Sequence, residues 1–229
     1  ISSTTIDTLL KWNSGEWLVH LDKLNLTNGI FKNEKQSEKP ANTYFDGRHI
    51  EFNNINTELT NIKWIKDTIT AALSLNTKER SGLEVKKMEA AVKFSPQEMA
   101  FNDLEIQTNR STIRNFFRMS YKEMDDLDDF LHAVKLQGDF NNSYISSDDI
   151  AFFAPALRSW KKDFQLTGKV QGTIGALKGS NLNVKTGIGT LLDGDISLTG
   201  LPDINKTFID LKANDLRTTY GDALTVIPA

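Results

Sequence analysis

The sequence contains no cysteine, which excludes a disulfide framework, a thiol nucleophile and any metal site that needs a thiolate ligand. A chain without thiols also fits an oxidising compartment such as the periplasm. At 229 residues the chain is long enough to bury a core without cross-links. We therefore expect a fold that rests on packing and hydrogen bonds alone.

The sequence also lacks a strong excess of charge and any long apolar run. It has 27 Lys and Arg against 30 Asp and Glu, a net charge of −3, so we expect no nucleic-acid partner. Its longest apolar stretch is about six residues, against the ~20 residues of a membrane-spanning helix. Because the sequence begins with Ile1 and shows no signal-peptide pattern, we expect a mature chain or part of a longer one.

Short runs of alternating apolar and polar residues dominate the sequence. Examples are Trp17–Leu21, Ile69–Leu75 and Met88–Phe94, and the pattern predicts half-buried β-strands. Pairs of turn-forming residues separate the runs at a spacing typical of antiparallel hairpins. These pairs are Asn28-Gly29, Asp46-Gly47, Ser95-Pro96, Lys178-Gly179 and Asp193-Gly194. The sequence therefore predicts a mainly β fold of antiparallel strands.

Two of the apolar runs change phase part-way along. The apolar positions are odd up to Leu21 and even from Leu24, and a second change follows Phe52. A one-residue slip would move the apolar residues to the other face of a regular strand, so we predict bulges at Asp22-Lys23 and Asn53-Asn54. Bulges of this kind bend a strand, and the predicted sheet is therefore curved and groove-forming.

One or two short helices are expected between the strands. Ser147–Ala154 follows Ser146, which with Asp149 forms a capping-box pattern, and Pro155 limits the helix. A second candidate, Lys122–Val134, carries apolar residues at helical spacing.

A faint internal repeat has an offset of 78 residues. Five positions from Leu104 to Ile113 match five from Leu182 to Leu191, and a one-residue adjustment extends the match from Phe117 onward. We expect two β-groove segments, residues 1–121 and residues 122–229, the second containing the short helix near 147–155.

The sequence shows no motif of enzymatic chemistry. His20, His49 and His132 are far apart and have no metalloprotease spacing. Gly187-Ile188-Gly189 resembles the start of a dinucleotide loop but lacks the third glycine and a following helix. The cluster Asp125–Asp129 lacks the spacing of an EF-hand calcium loop. We therefore predict no enzymatic activity, no metal site and no cofactor.

Three stretches carry a resemblance to a known family. The first comprises Ser81–Phe94 and Leu104–Ile113, the second is Asp149–Leu157 with the sequence DIAFFAPAL, and the third is Gly200–Leu211 with GLPDINKT at its start. In this order they resemble the bacterial TamB proteins, especially the long forms of the Bacteroidota, within the wider AsmA-like group.

The resemblance implies a long, taco-like β-groove with an apolar interior. It also implies a periplasmic segment of a protein anchored in the inner membrane, which carries phospholipid toward the outer membrane or helps to assemble proteins into it. The implied partners are phospholipid acyl chains and an outer-membrane assembly protein of the Omp85/TamA class, with the membrane reached only through other parts of the parent chain.

We predict the groove lining from the alternation and the repeat. The predicted residues are Leu104, Ile106, Ile113, Leu182, Val184, Leu191, Ile196, Leu198, Ile209 and Leu211. Two alternatives stay open. One is a β-sandwich module that displays Trp17, Trp64 or Trp160 to a glycan or a protein. The other, the least favoured, is a hydrolase that uses acids such as Asp125 or Asp149.

Overall fold

The computed structural model describes residues 11–34, 39–201, 203 and 206–226. The strands are β1 (Val19–Glu34), β2 (His49–Ile65), β3 (Thr68–Glu79), β4 (Glu84–Ser95), β5 (Glu98–Gln107), β6 (Thr112–Ser120), β7 (Lys135–Ser146), β8 (Asp163–Thr173), β9 (Ala176–Thr186), β10 (Thr190–Thr199) and β11 (Phe208–Arg217). The helices are α1 (Ser147–Ile150), α2 (Tyr220–Val226) and two 3-10 helices, Met124–Asp129 and Pro155–Ser159.

The strands form one antiparallel sheet in which each strand pairs with its neighbours in sequence. Among the described strands β1 and β11 are the two edges, so the sheet is not closed. This architecture confirms the prediction of a mainly β, groove-like sheet. The described residues contain no second sheet, so a β-sandwich is not the architecture of this part of the chain. The sheet continues from β6 to β7 across residues 121 and 122.

Strand irregularities recur along the sheet and are carried by asparagine, aspartate and glycine. Asn28, Asn54, Asp103 and Asn181 have φ values between 50° and 54°, and a register shift accompanies each of them. These residue types tolerate positive φ better than branched ones, because their side chains are short or absent. At Gly168 a Cβ would lie 2.6 Å from the Asn181 carbonyl oxygen, so the bulge brings two backbones too close for any other residue.

Three of the five predicted turn pairs lie inside strands. Asn28-Gly29 is in β1, Lys178-Gly179 in β9 and Asp193-Gly194 in β10, whereas Asp46-Gly47 and Ser95-Pro96 stand at strand ends. The interpretation of the first three as turns was wrong. Register shifts place bulges at Asn28-Gly29 and Asp193-Gly194, and Gly179 leaves space for the Leu182 side chain.

The predicted phase changes have different structural causes. At Asn53-Asn54 the register between β2 and β3 shifts, which confirms the predicted bulge. At Asp22-Lys23 the pairing of β1 with β2 shows no register shift. There the irregularity lies on the partner strand, where Asn61 has positive φ and the register with β3 shifts.

The internal repeat corresponds to two equivalent pairs of strands. Adding 78 to the first residue of β5, Glu98, gives Ala176, the first residue of β9, and Thr112 likewise gives Thr190 at the start of β10. The bulge residues Asp103 and Asn181 are separated by the same 78 positions. The repeat is therefore structural.

Both helix predictions need correction. The α-helix α1 is only four residues long, and Ser146 makes no side-chain capping bond. Asp149 does not complete the predicted capping box, because its carboxylate accepts hydrogen bonds from the Thr108 hydroxyl and the Arg110 N–H. The predicted helix over Lys122–Val134 contains only the short 3-10 helix.

The centre of the sheet holds its most buried apolar cluster. Ala71, Ala90, Val92 and Leu104 form the buried part, and larger half-buried side chains surround them. The surrounding residues are Leu59, Ile62, Leu73, Met88, Phe94, Phe101, Ile106, Ile113 and Phe117. Small residues flanked by large ones allow a curved sheet to bury the middle of its apolar face with its own side chains.

Loops at one end of the strands contact each other across the sheet. The loop before β2 meets the connection between β7 and β8, since the Phe45 N–H donates to the Phe152 carbonyl at 2.7 Å and the rings of Phe45 and Phe153 lie 5.3 Å apart. Within the described residues, no helix has the length and the apolar character needed to cross a membrane. Pro202, Ile204 and Asn205 of the third family-like stretch lie outside the described residues.

Truncation of a central side chain should destabilise the sheet far more than truncation of an edge one. Leu104 is 5% exposed and Leu216 on β11 is 59% exposed. We expect Leu104→Ala to lower the free energy of unfolding by about 3 kcal/mol, and Leu216→Ala by at most about 0.5 kcal/mol. Urea unfolding of both variants measures this, and equal losses would contradict a packed centre with open sides.

Candidate functional site: an apolar face across the sheet

One row of paired residues crosses the sheet from edge to edge. In antiparallel strands, directly paired residues lie on the same face, so the register defines the row. From β1 to β11 its members are Val19, Trp64, Ile69, Phe94, Met99, Met119, Leu136, Gly172, Leu177, Leu198 and Ile209. Every strand contributes one residue, and none of the eleven is charged.

A second apolar row runs beside the first from β3 to β11. Its members are Ala71, Val92, Phe101, Phe117, Gly138, Val170, Gly179, Ile196 and Leu211. The row again contains no charge. With neighbouring strands ~4.8 Å apart, eleven strands extend the apolar face over roughly 50 Å.

The row between these two belongs to the other face and is polar. From β1 to β11 it comprises His20, Lys63, Thr70, Lys93, Ala100, Arg118, Gln137, Gln171, Lys178, Ser197 and Asp210. The sheet therefore has one apolar and one polar face over its whole width.

The exposure of the apolar face rises from the centre to the edges. Val92 in the centre is 3% exposed, whereas Ile209 on β11 is 58% exposed. On β1, the apolar side chains of Leu21, Leu24 and Leu26 are also exposed. Apolar surface is thus available to a ligand at both sides of the sheet and is self-covered in the middle.

Nine of the ten predicted lining residues lie on this face. Ile196, Leu198, Ile209 and Leu211 belong to the two rows, and Leu104, Ile106 and Ile113 pack in the central cluster. Leu182 follows the bulge at Asn181 and its side chain lies over Gly179, beside Ile196. Val184 stands two residues further along the same strand and pairs with Leu192.

Leu191 lies on the opposite face, so its prediction as a lining residue was wrong. It pairs with Lys185, while Leu192 pairs with Val184. The offset between the two repeats changes from 78 to 79 at Ile113, and not at Phe117 as predicted. With an offset of 79, Ile113 matches Leu192, and Leu192 takes the place on the apolar face.

The ten predicted residues include only two of the eleven members of the edge-to-edge row, Leu198 and Ile209. Trp64, Met99, Met119, Leu136 and Leu177 belong to the edge-to-edge row. Each lies in an alternating run, but their common row depends on strand register, which alternation alone does not give.

Polar residues border the apolar face at the end of the strands where the loops cross. Glu79 and Asp149 are buried there, and each carboxylate has partners. Glu79 accepts hydrogen bonds from the N–H and the hydroxyl of Ser81, and Asp149 accepts the Arg110 N–H at 3.0 Å. Hydrogen bonds thus offset part of the cost of burying the two carboxylates, although the Asp149 Oδ1 has no partner among the described residues.

The described residues contain no group of three His, Asp or Glu side chains that could hold a metal ion. His49 and His132 each lie against one aspartate, Asp46 at 3.0 Å and Asp129 at 2.7 Å.

A cavity of about 700 Å³ lies on the polar face, at the loop end of β7 to β11. Its lining includes Tyr144 and Asp163, and the Tyr144 hydroxyl donates to the Asp163 carboxylate. This bond lowers the pKa of Asp163, with help from Ser146, and raises the pKa of Tyr144. Leu191, which the sequence analysis assigned to the apolar face, is one of the residues that line this cavity.

Three of the four tryptophans meet at the β1 edge. Trp12, Trp17 and Trp64 line a cavity of about 260 Å³, and the buried Nε1 of Trp64 has no hydrogen-bond partner among the described residues. Trp160 lies in the connection between β7 and β8.

Comparison of the chain with protein-family models, with curated proteins and with solved structures finds no match.

Proposed function

We propose that the apolar face holds phospholipid acyl chains. On this proposal the chain is a periplasmic segment of an inner-membrane-anchored, AsmA/TamB-like protein that carries phospholipid toward the outer membrane or helps to assemble proteins into it. The observation that carries the proposal is the row from Val19 to Ile209, an uncharged strip that crosses all eleven strands. No catalytic residue and no cofactor take part.

The energetics of acyl transfer suit a conduit. A methylene gains about 0.8 kcal/mol on leaving water, and a chain in a bilayer already has this stabilisation. Transfer from a bilayer to an apolar face is therefore nearly neutral, and the lipid is free to move on. An acyl chain reaches half of the ~30 Å bilayer core, about three strand spacings, so a face of roughly 50 Å has room for several positions.

The absence of charge from the two apolar rows matters for such movement. An unpaired charge against an acyl chain would cost several kcal/mol and would interrupt the path. The charged side chains of the intervening row lie on the other face, where salt bridges such as Lys93–Glu98 form in contact with water.

The two open edges suit continuation of the path. The apolar row ends at Val19 and Ile209, both on edge strands whose outer backbone groups have no strand partner among the described residues. An unpaired edge can take up a further strand. An outer-membrane assembly protein of the Omp85/TamA class is the proposed partner at one end.

A single inward charge should block lipid contact. The chain is produced in a Gram-negative periplasm with a photo-crosslinking amino acid in place of Leu177, beside Leu198 in the apolar row. We expect Leu198→Glu to lower crosslinking to phospholipid at least tenfold, because the carboxylate would be buried against the acyl chain. Mass spectrometry of the crosslinked protein measures the yield.

Ser197→Glu is the matched control, since Ser197 is the adjacent residue on the polar face and pairs with Lys178. It should crosslink like the unsubstituted chain, and far-UV circular dichroism shows whether both variants fold. Equal crosslinking in the two variants would overturn the proposed lipid path.

A second candidate is a glycan-binding surface, favoured by the cavity of Trp12, Trp17 and Trp64. Indole rings offer flat apolar faces for stacking, and Trp17 is 69% exposed. A glycan bound there should quench tryptophan fluorescence saturably, with the effect lost in Trp17→Ala. Absence of quenching across a broad glycan panel would remove this candidate.

A further inference from the structure

The cavity on the polar face gathers positive charge. A register row supplies Tyr144, Gln165, Lys185, Leu191 and Arg217 from β7 to β11. Lys161, Lys162 and Asp163 join them from the connection between β7 and β8. Four cationic side chains thus line the cavity against one carboxylate, in a chain whose net charge is −3.

Two of the cations are not neutralised locally. Lys161 pairs with Asp148 at 2.5 Å, and the Arg217 Nε donates to Asp215 at 2.9 Å. Lys162 and Lys185 have no acidic partner among the described residues. The carboxylate of Asp163 is already engaged by the Tyr144 hydroxyl. That hydroxyl is neutral, so Asp163 keeps its negative charge, and the cavity offers an anion a net excess of one positive charge from Lys162 and Lys185.

An apolar side chain stands at the rim of the same cavity. Ile188, between β9 and β10, is 97% exposed. Its loop is held in place, because the Asp222 carboxylate accepts hydrogen bonds from the Gly189 N–H at 3.1 Å and the Thr190 hydroxyl at 3.0 Å. These bonds also lower the pKa of Asp222, so the carboxylate stays ionised at neutral pH. A fixed loop thus presents Ile188 to solvent beside Lys185.

We propose that this end of the sheet docks onto the surface of an anionic phospholipid membrane, with Lys162 and Lys185 on lipid phosphates and Ile188 in the interfacial layer. Cations around an exposed apolar side chain match a surface whose charged groups lie above hydrocarbon. A soluble phosphate would use the lysines but gain nothing from Ile188. The residues involved lie on the opposite face from the apolar rows, so this inference does not rest on the proposed function.

Vesicle flotation of the whole chain tests the docking surface. The probes are vesicles of phosphatidylcholine alone and of phosphatidylcholine mixed with phosphatidylglycerol, at an ionic strength of about 0.1 M. We expect binding to the anionic vesicles only. A lysine near an anionic surface contributes about 1 kcal/mol, so the double variant Lys162→Gln/Lys185→Gln should bind about 30-fold more weakly. Ile188→Ser should weaken binding about tenfold without any change of charge.

The matched control is Lys135→Gln/Lys178→Gln. These two lysines line a different cavity of about 340 Å³ on the polar face, at the other end of the strands, and also lack acidic partners among the described residues. The control should bind within about twofold of the unsubstituted chain, since its charges lie farther than a Debye length of ~10 Å from the docked surface.

Three outcomes would overturn the inference. An equal loss of vesicle binding in the two double variants would mean that the overall charge of the chain, and not Lys162 and Lys185 in particular, attracts the membrane. Equal binding to both kinds of vesicle would mean contact through the apolar face, whatever the headgroup. Saturable binding of inorganic phosphate without vesicle binding would identify a soluble anion as the ligand. A failure of lipid crosslinking at Leu177 leaves this test unaffected, because flotation on anionic vesicles measures binding through the polar face, whereas Leu177 lies on the apolar face.

Discussion

The register of ten consecutive antiparallel pairings, which join eleven strands, is the constraint on which the rest of the structure depends. Because each strand pairs only with its neighbours in sequence, one misaligned strand would bring charged residues into the apolar row. The bulges at Asn61, Asp103 and Asn181 restore the phase of their strands, and each uses a residue that tolerates positive φ. Replacement of such a residue by a branched one would strain the backbone and disturb both faces.

The separation of the two faces lets one thin sheet offer two kinds of surface. The apolar face is covered by its own side chains at Val92 and open at Ile209, so the centre supplies stability and the sides supply binding surface. The polar face carries cations in cavities at both ends of the strands. Fold stability and ligand contact therefore depend on largely different residues, and a substitution can affect one without the other.

The sequence predicts the fold class and the curvature, because alternation and phase changes are local properties. It does not predict register, so alternation assigns Leu191 rather than Leu192 to the apolar face and does not reveal the row from Val19 to Ile209. Interior pairs such as Asn28-Gly29 look like turns because bulges and turns need the same residue types. The capping box at Ser146 failed because Thr108 and Arg110, distant in sequence, bind the Asp149 carboxylate instead.

The most direct test of the account is native mass spectrometry of the chain purified without detergent from a Gram-negative periplasm, together with lipid analysis of an organic extract. An open apolar face predicts a protein peak that carries the added mass of phospholipid, and the same phospholipid in the extract. A protein peak of the bare chain with a lipid-free extract would contradict the central claim that the apolar face takes up acyl chains.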